Sequence, residues 1–321
     1  MNAKDLRIVF MGTPEFAVPS LRALVEGGYN VVAVVTVPDK PAGRGQQLRK
    51  SEVKIAAEEL GLPVLQPEKL RDPEFVGQLQ ALQPDLGIVI AFRMLPEVIW
   101  AMPKLGTFNL HASLLPQYRG AAPINWAIIN GETETGITTF LLNHAIDEGA
   151  ILGQTKVAIG PEENVGELYD RLMTLGPSLV LETVERLAAG KVQPIEQTQI
   201  EAGALKPAPK IFKEDGRIDW SWEGRRIVNF VRGLSPYPAA WSPIYCGGQV
   251  INSAKIFAVR FEPGTPAAPG SVRTDNREEL SVACADGWIR LLELQLAGKR
   301  RMPVHDLLLG FRDIEACRLA E

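Results

Sequence analysis

Histidine and cysteine are both scarce in this chain, three of each in 321 residues, and the scarcity excludes whole classes of chemistry. Cys246, Cys284 and Cys317 lie far apart, outside any CxxC or mixed Cys/His spacing, so no metal site is expected. They read as reduced, partly buried thiols. No apolar run approaches the roughly 18 residues that span a bilayer. The opening, MNAKDLRIVFMGTPEF, lacks the apolar core and small-residue cleavage site of a secretion signal, so the expected location is the cytoplasm. A G-x-G-x-x-G turn is missing after the first strand-like run, and no acidic residue closes the second run before Thr36-Val37-Pro38. Both absences argue against a nucleotide-binding oxidoreductase. No serine sits in a nucleophile elbow, which argues against an acyl-enzyme. A net charge of −4 argues against a general nucleic-acid binder, although the charge is uneven. Residues 208–321 hold 16 basic against 14 acidic side chains, and the remainder 18 against 24. Any polyanion is therefore expected to favour the second half.

The chain has the 46% apolar and 22% charged composition of a folded globular protein. Its length suits two domains. Ile8 to Met11 is a short apolar run ending at Gly12. Thr13 then offers a cap to a helix opening at Pro14 and closing at Gly27-Gly28. Val31 to Val37 reads as a strand buried on both faces. Val53, Ala56, Ala57 and Leu60 fall at helical spacing, and Leu86 to Ile90 and Phe108 to Leu110 supply further strands. Such alternation predicts a Rossmann-like, doubly wound parallel sheet over residues 1–190, with its ligands at the carboxyl ends of the strands. A long helix is expected over 164–190, with Leu168, Leu172, Leu175 and Leu179 turned inward. Residues 191–208 are proline-bearing and aperiodic and read as a linker. From 209 to 321 the chain has hairpin signals at Gly247-Gly248 and Asp286-Gly287, which predict a small β-barrel.

Among the histidines, His111 stands out. It falls where a central strand should end, and Asn109, two residues earlier, shares its face. Buried polar groups at a strand end either find structural partners or carry chemistry. A small-residue loop with prolines at both ends follows (Ser113 to Pro123), and then a carboxylate, Asp147, two residues before Gly149. An imidazole to take a proton, a carboxylate to orient it and an amide to donate to an oxyanion make a set for direct acyl transfer to an amine. His144 adds a third polar group nearby in sequence, read as structural or supporting. His305 has no expected role.

The segment NLHASLLPQYRGAAPI with the downstream Asp147-x-Gly149 resembles the signature of the folate-dependent formyltransferases. MGTPEFAVPSL, PDKPAGRGQQL, KIFKEDGRIDW and VRGLSPYPAAW extend the likeness along the chain, toward the members that act on methionyl-tRNA. The resemblance implies a transferase domain followed by an OB-like barrel that binds tRNA. It implies 10-formyltetrahydrofolate as donor and initiator methionyl-tRNA as acceptor. Without a strong apolar stripe to demand an oligomer, a monomer is the expected state. It casts Asn109, His111 and Asp147 as the catalytic set, and Ser113, Leu114, Leu115 and Pro116 as part of the folate site. Lys40, Arg44 and Arg49 match a loop that approaches the tRNA acceptor end; composition alone would make them a solvated basic loop. Two departures stand out. Ala91-Phe92-Arg93 replaces a tyrosine and glycine common in the family, and Asn143-His144 replaces acidic or small residues. A formyltransferase of nucleotide sugars or purine precursors, or a non-catalytic RNA-binding module, are the rival readings. The barrel and the PAGRG loop favour tRNA over a small acceptor, and the Asn/His/Asp set disfavours a module that only binds.

Overall fold

The computed structural model describes residues 2–42, 47–311 and 314–320. The chain divides into two compact units: Met1–Gly120 with Gly136–Val157 and Asp170–Pro207, and Ala121–Thr135 with Ala158–Tyr169 and Ala208–Glu321.

The first unit is built on strands β1 (Ile8–Gly12), β2 (Val31–Val35), β3 (Lys40–Ala42), β4 (Gln47–Arg49), β5 (Val64–Leu65), β6 (Leu86–Ile90), β7 (Thr107–His111), β8 (Glu134–Leu141) and β9 (Ile151–Ala158). Its helices include α1 (Val18–Glu26), α2 (Glu52–Glu59), α3 (Pro73–Ala81), α4 (Glu97–Trp100) and the later part of α6 (Val165–Ala188); α5 (Pro123–Ile129) belongs to the second unit. The main sheet has the order β5-β2-β1-β6-β7-β8-β9. Pairing is parallel from β5 through β7, and β8 runs antiparallel to β7. The chain leaves β1 toward β2 and β5 on one side and returns to β6 on the other, which puts a topological switch between the carboxyl ends of β1 and β6. Every residue of β1 and β6 is buried, as expected of central parallel strands. Each fully buried Val, Leu or Ile there contributes roughly 1.5–3 kcal/mol.

Two local expectations are corrected. Thr13 does not cap α1: a short 3₁₀ turn occupies Glu15–Ala17 and α1 begins at Val18, with Pro19 in its first turn. A helix opening at Pro14 would have carried Pro19 in its interior, where the missing N–H and ring clash break a helix. Leu175 of α6 is exposed rather than turned inward. Gly176 takes the inward position, where a Cβ would come within 3.0 Å of Leu110, and Leu175, one residue away, is rotated out.

The second unit contains α5, helix α7 (Gly224–Leu234), strands β10 (Ala240–Cys246), β11 (Gln249–Pro263), β12 (Val272–Thr274), β13 (Leu280–Cys284), β14 (Gly287–Leu296) and β15 (Met302–Pro303), helix α8 (Val304–Gly310) and strand β16 (Cys317–Arg318). The strand order is β12-β13-β14-β11-β10-β16, with β15 on β14. A bridge from Ser271 to Arg318 brings the two ends of this order together, leaving a nearly closed antiparallel barrel. Gly247 and Gly248 form the β10–β11 turn with φ of 61° and 80°, the paired positive values that a two-residue hairpin requires. Ile227, Val231 and Leu234 of α7 pack with Ile244, Ile256, Ile289 and Leu294 into its core. The reading of three reduced thiols is also corrected. Cys246 and Cys317 are register partners on β10 and β16, 4.3 Å apart at Cα, and are joined as a disulfide; Cys284 is free and buried. Burial pushes the Cys284 thiol upward from its ordinary pKa.

Candidate active site

The sheet order places the end of β7 beside the loop that follows β8, and so brings together two residues far apart in sequence. His111, the last residue of β7, is buried, and its Nδ1 lies 3.8 Å from Oδ2 of Asp147. Its Nε2 lies 2.9 Å from the carbonyl oxygen of Tyr118. A carbonyl only accepts, so Nε2 carries a proton and Nδ1, on the Asp147 side, is the basic nitrogen of the neutral ring. The edge of Phe140, with ring centroids 6.4 Å apart, closes one side of the imidazole. Asp147 is held by the backbone N–H of Gly120, which donates to Oδ2 at 2.9 Å.

Three non-glycine residues at this rim sit at positive φ: Ala91 (47°), Tyr118 (61°) and Asp147 (55°). Such residues are uncommon and persist where the surroundings over-determine them, often at functional sites. The Asp147-x-Gly149 spacing also has a steric cause: a Cβ on Gly149 would collide with the carbonyl oxygen of Leu141.

Asn109 lies two residues before His111 on the same strand face. Its Oδ1 is buried and has no hydrogen-bond partner in the protein. That oxygen is therefore uncommitted, which fits a hydrogen-bond donor supplied by a bound substrate. In the following loop, Ser113 Oγ donates to the carbonyl of Gln117 (2.7 Å), and Thr138 Oγ1 donates to that of Ser113 (2.6 Å). Gln154 Nε2 reaches the Leu115 carbonyl at 2.9 Å. Ser113, Leu115 and Pro116 are buried and Leu114 is half-buried, so this loop presents mainly backbone and the Leu114 side chain.

Lys40 and Arg49 are exposed and directly opposite each other across the β3–β4 ribbon. Arg44 lies outside the described residues. Arg93 turns away into the carbonyls of Pro67 and Glu68 (2.9 Å to Glu68), and its burial pushes the guanidinium pKa down. Phe92 packs onto the buried cluster of Val9, Met11, Val89 and Leu95. His144 is exposed, 3.4 Å from Glu97 and edge-on to Trp100. Residues the sequence did not single out are Tyr118, Thr138, Gln154 and, above all, Gln197. Among the described residues no group of three His, Cys, Asp or Glu side chains could hold a metal.

The strand ends of this sheet gather an imidazole, a carboxylate and an amide with an unpartnered oxygen, in a chain whose second unit is a barrel; its relatives make it a one-carbon group-transfer enzyme. The chain belongs to the formyl transferase family: residues 6–184 match the formyl transferase domain and 210–312 its C-terminal domain. It is 56% identical over 321 residues to a protein of Bacteroides fragilis named methionyl-tRNA formyltransferase, covering 99% of both chains. It is 50% identical over 316 residues to one of the same name from Porphyromonas gingivalis, covering 97% of each. Among solved structures it resembles HypX from Aquifex aeolicus in complex with tetrahydrofolic acid (TM-score 0.61, 20% identity). That match covers 96% of this chain and 47% of HypX, about half the length of that protein. It also resembles the sugar 3N-formyl transferase WlaRD (TM-score 0.64, 18% identity, 92% and 99% covered). At these identities the structural likeness concerns the fold.

Proposed function

We propose that this protein transfers the formyl group of 10-formyltetrahydrofolate to the α-amine of initiator methionyl-tRNA, acting in the cytoplasm as a monomer. The observation that carries the reading is the meeting of His111, Asp147 and Asn109, whose buried side-chain oxygen has no partner, at one sheet rim, in a chain matching methionyl-tRNA formyltransferases along 99% of its length. The folate, when bound, supplies an activated formyl carbon and a nitrogen leaving group. The attacking α-amine has an ordinary pKa of about 8, so part of it is already neutral at pH 7. Nδ1 of His111 accepts the proton that the amine sheds on attack and holds it for return to the leaving nitrogen. Asp147 stabilises the imidazolium so formed, and Asn109 donates to the oxygen on which charge develops. The loop from Ser113 to Pro116 borders the folate. Lys40 and Arg49 of the β3–β4 ribbon, together with Arg44, are the cations that meet the tRNA acceptor end in this reading. The second unit supplies further tRNA contacts.

The test is single-turnover transfer from 10-formyltetrahydrofolate to charged initiator tRNA, beside a nucleotide-sugar amine. Formylation of the tRNA alone is the expected outcome. Transfer to the sugar amine alone would keep the catalytic set and overturn the assigned acceptor.

A further inference from the structure

Gln197 falls in the stretch that reads as a linker, yet it is only 3% exposed. Its Nε2 donates to the carbonyl oxygens of Asp147 and Gly149, both at 2.8 Å. Its Oε1 accepts from Nε and Nη2 of Arg119 at 3.0 and 2.7 Å. The remaining terminal nitrogen of Arg119 pairs with Glu148 at 2.9 Å. One buried amide thus commits both N–H groups to the turn that carries Asp147, and its oxygen to the loop that carries Tyr118 and Gly120. Those two segments also fix the imidazole and the carboxylate, through Tyr118 O and Gly120 N. The segment is tethered on both sides of Gln197. Ile195 exchanges two backbone hydrogen bonds with Ile151, and Tyr118 N donates to Lys206 O at 2.8 Å. Without these bonds the Asp147 backbone, at φ 55°, would be free to relax toward commoner conformations.

We infer that Gln197, braced by Arg119, is a positioning residue for the proposed proton-handling pair and sets the direction in which Asp147 faces His111. The inference rests on the role proposed above for Asp147. Because Gln197 touches no reacting atom in this reading, its loss acts on turnover and spares the binding of both substrates. Gln197→Ala is expected to lower kcat by about 10–100-fold, the scale of a displacement near 1 Å, with both KM values nearly unchanged. Gln197→Glu keeps the acceptor for Arg119 but loses the two donors, and should fall as far. Arg119→Ala, at a less buried position, should lower kcat less, and its effect should not add to that of Gln197→Ala. Asp147→Asn is measured beside them. If it turns over normally, the reading of Asp147 fails and takes the inference with it. If it is slow while Gln197→Ala and Gln197→Glu match the parent, only the role of Gln197 falls. Should Gln197→Ala not fold, Arg119→Ala decides, and an unchanged kcat there overturns the inference.

Discussion

The Nε2 of His111 donates to the carbonyl oxygen of Tyr118 at 2.9 Å, and this leaves Nδ1, facing Asp147 at 3.8 Å, as the only basic nitrogen of the ring. In the proposed reaction that nitrogen takes the proton from the amine. His111→Ala is therefore expected to slow transfer by roughly 10²–10⁴, the usual contribution of a positioned base. Asp147→Asn keeps an oxygen for the Gly120 N–H but removes the charge that favours the imidazolium, so it should also be slow. The check is single-turnover rate with both substrates saturating. A His111→Ala enzyme within a factor of a few of the parent would remove the imidazole from the mechanism.

Asn109 has a buried oxygen with no partner, so truncating it leaves no protein hydrogen bond of that atom unmade. Asn109→Ala should cost little stability and slow turnover by about 10²–10³, as loss of a single oxyanion donor does elsewhere. A large drop in melting temperature with turnover intact would mark the amide as structural.

Gly149 is fixed by steric need, since a Cβ would meet the carbonyl oxygen of Leu141 on the backbone itself. Gly149→Ala must move the turn that presents Asp147. Lower stability and lower kcat together are expected from thermal denaturation and steady-state rates. A variant with normal values for both would show that the turn shifts at no cost and that Asp147 needs no fixed position.

How far the sequence speaks for itself differs between parts of the molecule. Central strands such as Leu86 to Ile90 were legible because burial on both faces leaves an unbroken apolar run. The β10–β11 hairpin was legible because only glycine readily supplies two consecutive positive φ values. Asn109 and His111 declare a shared face through the two-residue strand period. Gln197 declared nothing: its partners Asp147 and Gly149 lie 50 and 48 residues away, and a hydrogen bond of that range leaves no local pattern. The Cys246–Cys317 pairing spans 71 residues and was equally silent. The start of α1 is set by Pro19 rather than by the cap signal at Thr13, because a proline can stand only in the first turn of that helix.

Lys40 and Arg49 are opposed across a two-stranded ribbon, an arrangement in which like charges destabilise each other. Among the described residues Arg49 has a single, long ionic contact, to Glu52 at 3.7 Å, and it is three-quarters exposed. An anionic partner would relieve the repulsion, and the proposed tRNA acceptor end is one. Lys40→Ala and Arg49→Ala should each raise the KM for methionyl-tRNA, and reduce the salt slope of tRNA binding by about one counterion. Folate affinity should stay the same. An equal loss of folate affinity would assign the ribbon to the folate side.

Asp39 stands at the foot of that ribbon, hydrogen-bonded to Lys54 (2.6 Å) and Gln66 (2.8 Å). Alongside it Thr36 and Ser51 meet at 2.8 Å between their hydroxyls. The bond from Lys54 first, then that from Gln66, holds the Asp39 carboxyl below the usual carboxylate range. A carboxylate with a depressed folded pKa adds stability that is fully present above its unfolded pKa, about 3.9, and is lost as pH falls through the lower folded value. Asp39→Asn should therefore melt below the parent at pH 7, and the gap should narrow as pH falls toward about 3. Since the Lys54 bond ties the residue before β3 to α2 and the Gln66 bond ties it to the end of β5, the variant should also use methionyl-tRNA less well at neutral pH while folate use is spared. A melting gap of equal size at both pH values would mean that Asp39 acts through packing or its neutral hydrogen bonds, and that its charge contributes nothing to holding the ribbon.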